Sequence, residues 1–235
     1  MCGRYTLVAP VEEVRNLFDL PEVDERLLVP RYNIAPTQPI VVVREERARR
    51  ELVPVRWGLL PSWVKTPADF PLLLNARSDG VATKAAFRNA FQRRRCLVPA
   101  SGFYEWQTRG KVKQPFLIRP AVRGLVAFAG LWETWAGADG SEIDTAAIVT
   151  TDCNDSLRPI HNRMPAVIAP EDFGAWLSAD TDPKEAFALL RPGPEDLFVC
   201  VPVSTRVNAV RNDDSGLLEP VEIAAPPELQ QARLL

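Results

Sequence analysis

FRNAFQRRRCLVPASGFYEW, residues 87–106, changes its hydrophobic period twice. Ala86, Phe87, Ala90 and Phe91 recur at spacings of three and four, which marks one helix face, and Thr83 just upstream is the expected N-cap. Residues 95–99 then read as a short apolar strand. SGFYEW follows as a polar island among aromatics.

The same reading extends outward in both directions. Further helices are expected from Pro10 to Phe18, from Pro170 to Leu177 and from Pro183 to Leu190, each opened by proline. Strands are expected at 38–44, 51–57, 95–99, 115–119, 125–132, 145–151, 164–168 and 197–203. Many short strands, few helices, 22 prolines and 12 glycines predict an α+β fold on a curved, mostly antiparallel β-barrel-like core flanked by short helices. No βαβ rhythm, internal repeat or glycine-rich phosphate loop is present.

With 235 residues, 46% hydrophobic and 25% charged, the chain has ordinary globular composition. A chain of this size buries roughly 70–75% of its unfolded surface, enough for one large core. One domain over residues 1–222 is expected, with a tail over 223–235 (IAAPPELQQARLL). No apolar run reaches about 18 residues and no secretory signal opens the chain, so a cytoplasmic protein is expected. The four cysteines, Cys2, Cys96, Cys153 and Cys200, form no CxxC, and there is one histidine, which argues against zinc and against a disulfide scaffold.

The net charge of -2 conceals a segregation: residues 26–123 carry 19 basic and 6 acidic side chains, residues 124–235 carry 7 and 18. Of the 28 basic residues 23 are arginine, whose planar fork suits phosphate. Either a polyanion binds the middle of the chain, or the two regions pair with each other.

Cys2 is the first candidate for chemistry. Removal of Met1 would give it a free α-amine beside its thiol, and a 1,2-aminothiol condenses with an aldehyde to an imine that the sulfur closes to a thiazolidine. Four polar islands supply further groups. LLLNARSD offers Asn75 and Arg77; SGFYEW packs Glu105 between Phe103, Tyr104 and Trp106, surroundings that desolvate a carboxyl and suit it to general acid work; IHNRMP carries His161 and Arg163; RYNIAPTQ carries Arg31, Tyr32 and Asn33. Taken singly, each also fits a satisfied buried group or a solvated loop. Trp57, Trp63, Phe103 and Trp106 interleave with Arg4, Arg77 and Lys84, as single-stranded nucleic acid requires. The remaining cysteines read as inert core residues.

MCGRYT, RYNIAPTQ, WGLLPSW, NARSD, FRNAFQRRRCLVPASGFYEW and IHNRMP, in this order, closely resemble the SOS response-associated peptidase (SRAP) family of abasic-site processing proteins, over roughly residues 2–221. The resemblance implies a cofactor-free, monomeric protein whose Cys2 captures the aldehyde of an abasic site in single-stranded DNA as a thiazolidine crosslink. It implies that Asn75 positions the terminus and that Glu105 and His161 form an acid/base pair, with reversal of the crosslink and self-removal of Met1 as further activities of the same cluster. Arg4, Arg77, Lys84, Trp106, Arg163, Trp63, Gly102 and Thr150 are the implied DNA-binding residues. Asp79 departs from the family, which often carries Glu there. Two other readings compete: an N-terminal nucleophile hydrolase or amidotransferase, which a glutaminase assay would detect, and a non-catalytic single-strand binder, which would hold intact and abasic strands equally.

Overall fold

The computed structural model describes residues 2–47 and 49–223. Its strands are β1 (Tyr5–Leu7), β2 (Arg31–Ile34), β3 (Pro39–Glu46), β4 (Arg49–Trp57), β5 (Asn75–Arg77), β6 (Arg95–Ala100), β7 (Gly102–Arg109), β8 (Val112–Pro120), β9 (Val126–Ala136), β10 (Glu142–Asp152), β11 (Arg163–Pro165), β12 (Val167–Ile168) and β13 (Phe198–Pro202). The helices are short: α1 (Val11–Phe18), α2 (Arg88–Arg93), α3 (Phe173–Leu177) and α4 (Pro183–Ala188). No helix among the described residues is long and apolar enough to cross a membrane.

β3, β4, β10, β9 and β6 close into a ring, because β10 pairs with both β4 and β9 while β3 pairs with β6. Only β4–β10 is parallel within this barrel. Closure removes the unpaired edges, and Val42, Val43, Leu97, Ala129, Leu131 and Ile148, on the two faces of the barrel wall, are completely buried. β5 adds to β10 in parallel, and β11 and β12 extend the rim. The second sheet runs β13-β8-β7-β1-β2. It packs on the barrel through Phe103, edge-on to Phe128 at 5.8 Å, and through Tyr5, edge-on to Trp57 at 5.4 Å. Such pairs each add about 0.5–1.5 kcal/mol to plain burial. The α+β, barrel-based architecture is the expected one.

Several local expectations shift. Thr83 caps nothing: the backbone from Gly80 to Phe87 is a chain of turns, and α2 begins only at Arg88 with Phe87 as its N-cap. Pro170–Asp172 forms a 3-10 turn that leads into α3. β1, β2, β5 and β7 were not expected as strands. Arg95, the last of three consecutive arginines, is buried, and its guanidinium donates to the carbonyls of Phe91, Gln92, Trp176 and Ser178, stapling the ends of α2 and α3. Arg44 pairs with Asp144 at 3.0 Å, Arg31 with Asp213 at 2.7 Å, and Arg94 with Glu133. Part of the basic middle therefore does meet the acidic end of the chain. The expectations for Met1 and, apart from Ile223, for the tail fall outside the described residues.

Candidate active site

The antiparallel register of β1 and β7 aligns Tyr5 with Phe103 and Thr6 with Gly102, and Tyr104 N–H donates to the Arg4 carbonyl at 2.9 Å. Carrying that register toward the N-terminus sets Gly3 and Cys2 beside Glu105 and Trp106. Glu105 is 4% exposed. Gly102 is buried, and a Cβ there would stand 2.8 Å from the Ile118 carbonyl oxygen, so strand packing leaves no room for a side chain at this position.

Asn75 reaches Cys2 from the other sheet. Its Nδ2 donates to the Cys2 carbonyl at 2.9 Å, while its Oδ1 is buried with no hydrogen-bond partner. Cys2 itself is 0% exposed, and its Sγ lies 3.9 Å from the Arg4 carbonyl. Burial pushes the thiol pKa far above its ordinary value, and the nearby Glu105 charge raises it further, so sulfur is held as a thiol at neutral pH.

His161 closes the loop between β10 and β11. Its backbone N–H donates to the Leu157 carbonyl at 3.0 Å, and its ring Nδ1 accepts the Arg163 backbone N–H at 3.0 Å. An accepting Nδ1 assigns the proton of neutral His161 to Nε2, which makes that nitrogen the donor. Gln107, two residues beyond Glu105 on the same face of β7, donates to the Pro159 carbonyl at 3.0 Å and so draws the His161 loop toward the Glu105 strand.

The implied DNA contacts divide. Arg77 on β5 is exposed and pairs with Asp79 at 3.2 Å, so the shorter acid still reaches its partner. Lys84 is exposed over Gly80, and Trp63 is 58% exposed, edge-on to Phe70 at 5.6 Å. Trp106 is half-buried, with Nε1 donating to Asn208 Oδ1 at 2.8 Å. Arg163 and Thr150 are not surface contacts. Thr150 is fully buried, and Arg163 spends its guanidinium on Asp152 Oδ1 at 2.7 Å and on the Thr150 carbonyl at 2.5 Å. Both brace the site from inside because β11 pairs directly onto β10 at that level. Arg4 is half-buried and donates through Nη1 to Asn33 Oδ1 and the Val207 carbonyl, both at 2.7 Å. In sum, Cys2, Asn75 and Glu105 meet at the seam between the barrel and the second sheet.

A model of the family described as SOS response associated peptidase (SRAP) matches residues 1–210. The chain belongs to the SRAP family. This SRAP chain is 35% identical over 222 residues to the abasic site processing protein YoqW of Bacillus subtilis (strain 168), a match covering 93% of this chain and 99% of YoqW. It is 35% identical over 234 residues to the abasic site processing protein HMCES of Gallus gallus, covering 86% of this chain and 69% of that one. A solved structure from Bacteroides thetaiotaomicron matches the fold with a TM-score of 0.84 at 22% identity, over 94% of this chain and all of its own.

Three residues of the SRAP chain that help shape the site had no role in the sequence reading. Asp213 accepts the backbone N–H of Asn33 at 3.0 Å, Asn208 holds Trp106, and Asn154 organises the loop before His161 by accepting the Leu157 N–H at 3.2 Å. None lies in a strand or α-helix whose periodicity could be read.

Proposed function

We propose that this protein captures abasic sites in single-stranded DNA, forming a thiazolidine between the opened sugar and Cys2 once Met1 has been removed. The observation that carries this reading is the hydrogen bond from Asn75 Nδ2 to the Cys2 carbonyl, which fixes a buried thiol against the Glu105 strand. The names of the relatives, abasic site processing proteins, agree with it.

An abasic sugar is mostly a closed hemiacetal, so its ring must open first, and an Nε2–H imidazole at His161 suits protonation of the ring oxygen. The freed amine of Cys2 adds to the aldehyde carbon, and loss of water leaves a C=N bond. Sulfur then bonds to that carbon while the thiol proton passes to the Glu105 carboxylate and on to nitrogen. Amine, thiol and aldehyde thus give one ring and one water, with no change of oxidation state. A thiol whose pKa is raised by burial needs such a base at the moment of attack. The exposed Arg77 and Lys84 are suited to the phosphates, and Trp63 and Trp106 to bases near the lesion.

Incubation with an abasic single strand followed by intact mass spectrometry tests the reading. The expected product has the mass of the Met1-free protein plus the strand minus one water. Protein of unchanged mass, with Cys2 as its free terminus, would refute it.

A further inference from the structure

Asn33 belongs to the RYNIAPTQ island, and the capture chemistry has no use for it. Its side chain is nonetheless fully buried and saturated with hydrogen bonds. Oδ1 accepts from Arg4 Nη1 at 2.7 Å, and Nδ2 faces the carbonyls of Val207, Ala209 and Asn212 at 3.2, 3.2 and 2.7 Å. Asp213 ties the same region down, with Oδ1 on the Asn33 N–H and Oδ2 on Arg31 Nε. Residues 204–213, far along the chain, are thereby strapped across β2. Asp213 lies beyond the 210 residues that the family model matches.

The strap in turn holds Arg4. The Val207 carbonyl accepts from Nη1 at 2.7 Å, as Asn33 does, so both hydrogens of that nitrogen are used. The remaining donors, on Nε and Nη2, form the other edge of the guanidinium. Nε is buried without a hydrogen-bond partner, and among the described residues no carboxylate is found to act on Arg4. A half-buried cation with no counter-charge and an orphan donor on one edge calls for an anion on that edge. Burial lowers the pKa of Arg4, and Tyr104 opposes that shift in part.

Granted the capture reaction proposed above, we propose that Asn33, backed by the strap of residues 204–213, is a positioning residue: by fixing Nη1 it turns the Nε/Nη2 edge of Arg4 to the phosphate beside the captured sugar. Arg4 makes the contact, and Asn33 acts through it.

The test uses a single strand carrying tetrahydrofuran in place of the abasic sugar, which has no aldehyde and cannot crosslink. In the wild type, the logarithm of affinity falls with the logarithm of salt by about 0.7 for each phosphate contacted. Asn33→Ser, which is too short to hold Nη1, and Asn33→Asp, which neutralises Arg4, are each expected to reduce that slope by about 0.7, the same loss as Arg4→Gln. Combining either with Arg4→Gln should bring no further loss, and capture of a true abasic strand should slow at least ten-fold. Leu217→Ala, which empties a fully buried position in the core under the strap, serves as the stability control and should keep the wild-type slope. A wild-type slope in both Asn33 variants beside a reduced one in Arg4→Gln would overturn the proposal, as would an equal reduction in Leu217→Ala. If the wild type binds the analogue but never crosslinks a true abasic strand, the capture reading fails by itself, and the slopes still decide the role of Asn33.

Discussion

Asn75 and Cys2 stand in different sheets, yet the carboxamide of one donates to the carbonyl of the other at 2.9 Å. Asn75 opens β5, which hangs on barrel strand β10, while Cys2 leads into β1 of the second sheet. This bond fixes the start of the chain where the two layers meet. Its net worth is about 1–1.5 kcal/mol, so Asn75→Ala should slow crosslinking roughly ten-fold, and Asn75→Asp, which turns an acceptor on the carbonyl, should slow it more. Single-turnover rates on denaturing gels measure this. Wild-type rates in both variants would show that the bond does not position Cys2.

Cys2→Ser keeps the amine that forms the imine but lacks the sulfur that closes the stable ring. Its adduct should form and then disappear on heating under conditions where the wild-type adduct persists, as followed by time-resolved gel analysis. Equal persistence would remove sulfur from the mechanism.

Burial raises the thiol pKa values of Cys2 and Cys96 in the folded protein. Below about pH 8.5 the thiols are protonated in both folded and unfolded chains, and the stability from burying neutral sulfur is fully present. As pH rises past that point the unfolded thiols lose protons while the folded ones keep theirs, so stability falls. Tyr5 and Tyr104, whose pKa values are also raised chiefly by burial, extend the loss above about pH 10. Urea midpoints from pH 7 to 10.5 should decline, less steeply in Cys96→Ala. A flat profile would contradict the buried state of these groups.

Arg163 braces β10 from within the fold. Arg163→Ala removes a 7% exposed side chain and leaves the Thr150 carbonyl without its donor, at an expected cost of about 2–4 kcal/mol in urea unfolding. The salt slope for binding an intact single strand should not change. A reduced slope with wild-type stability would restore Arg163 to the phosphates.

The apolar part of the fold was legible because it is periodic. The runs at 38–44, 51–57, 95–99, 125–132 and 145–151 became β3, β4, β6, β9 and β10, all five barrel strands, and their composition and length needed no tertiary information. The strands that escaped notice, β1, β2, β5 and β7, hold Arg31, Asn33, Asn75, Arg77 and Glu105 or lie next to Cys2 and Arg4. A sequence that places amides, acids and guanidiniums at a site breaks the very pattern by which strands are recognised.

By itself the sequence determined the barrel-forming runs, the cysteine at position 2, and the polar islands that carry Asn75 and Glu105. Only the tertiary structure decided which arginines face outward. Arg77 lies in the open, while Arg95 and Arg163 are consumed as internal donors and Arg4 is anchored by Asn33 and the strap. A guanidinium reads the same in any sequence. Whether it meets a phosphate or a backbone carbonyl depends on which strand ends the closing of the barrel brings within hydrogen-bond reach, and those partners lie up to 203 residues apart along the chain.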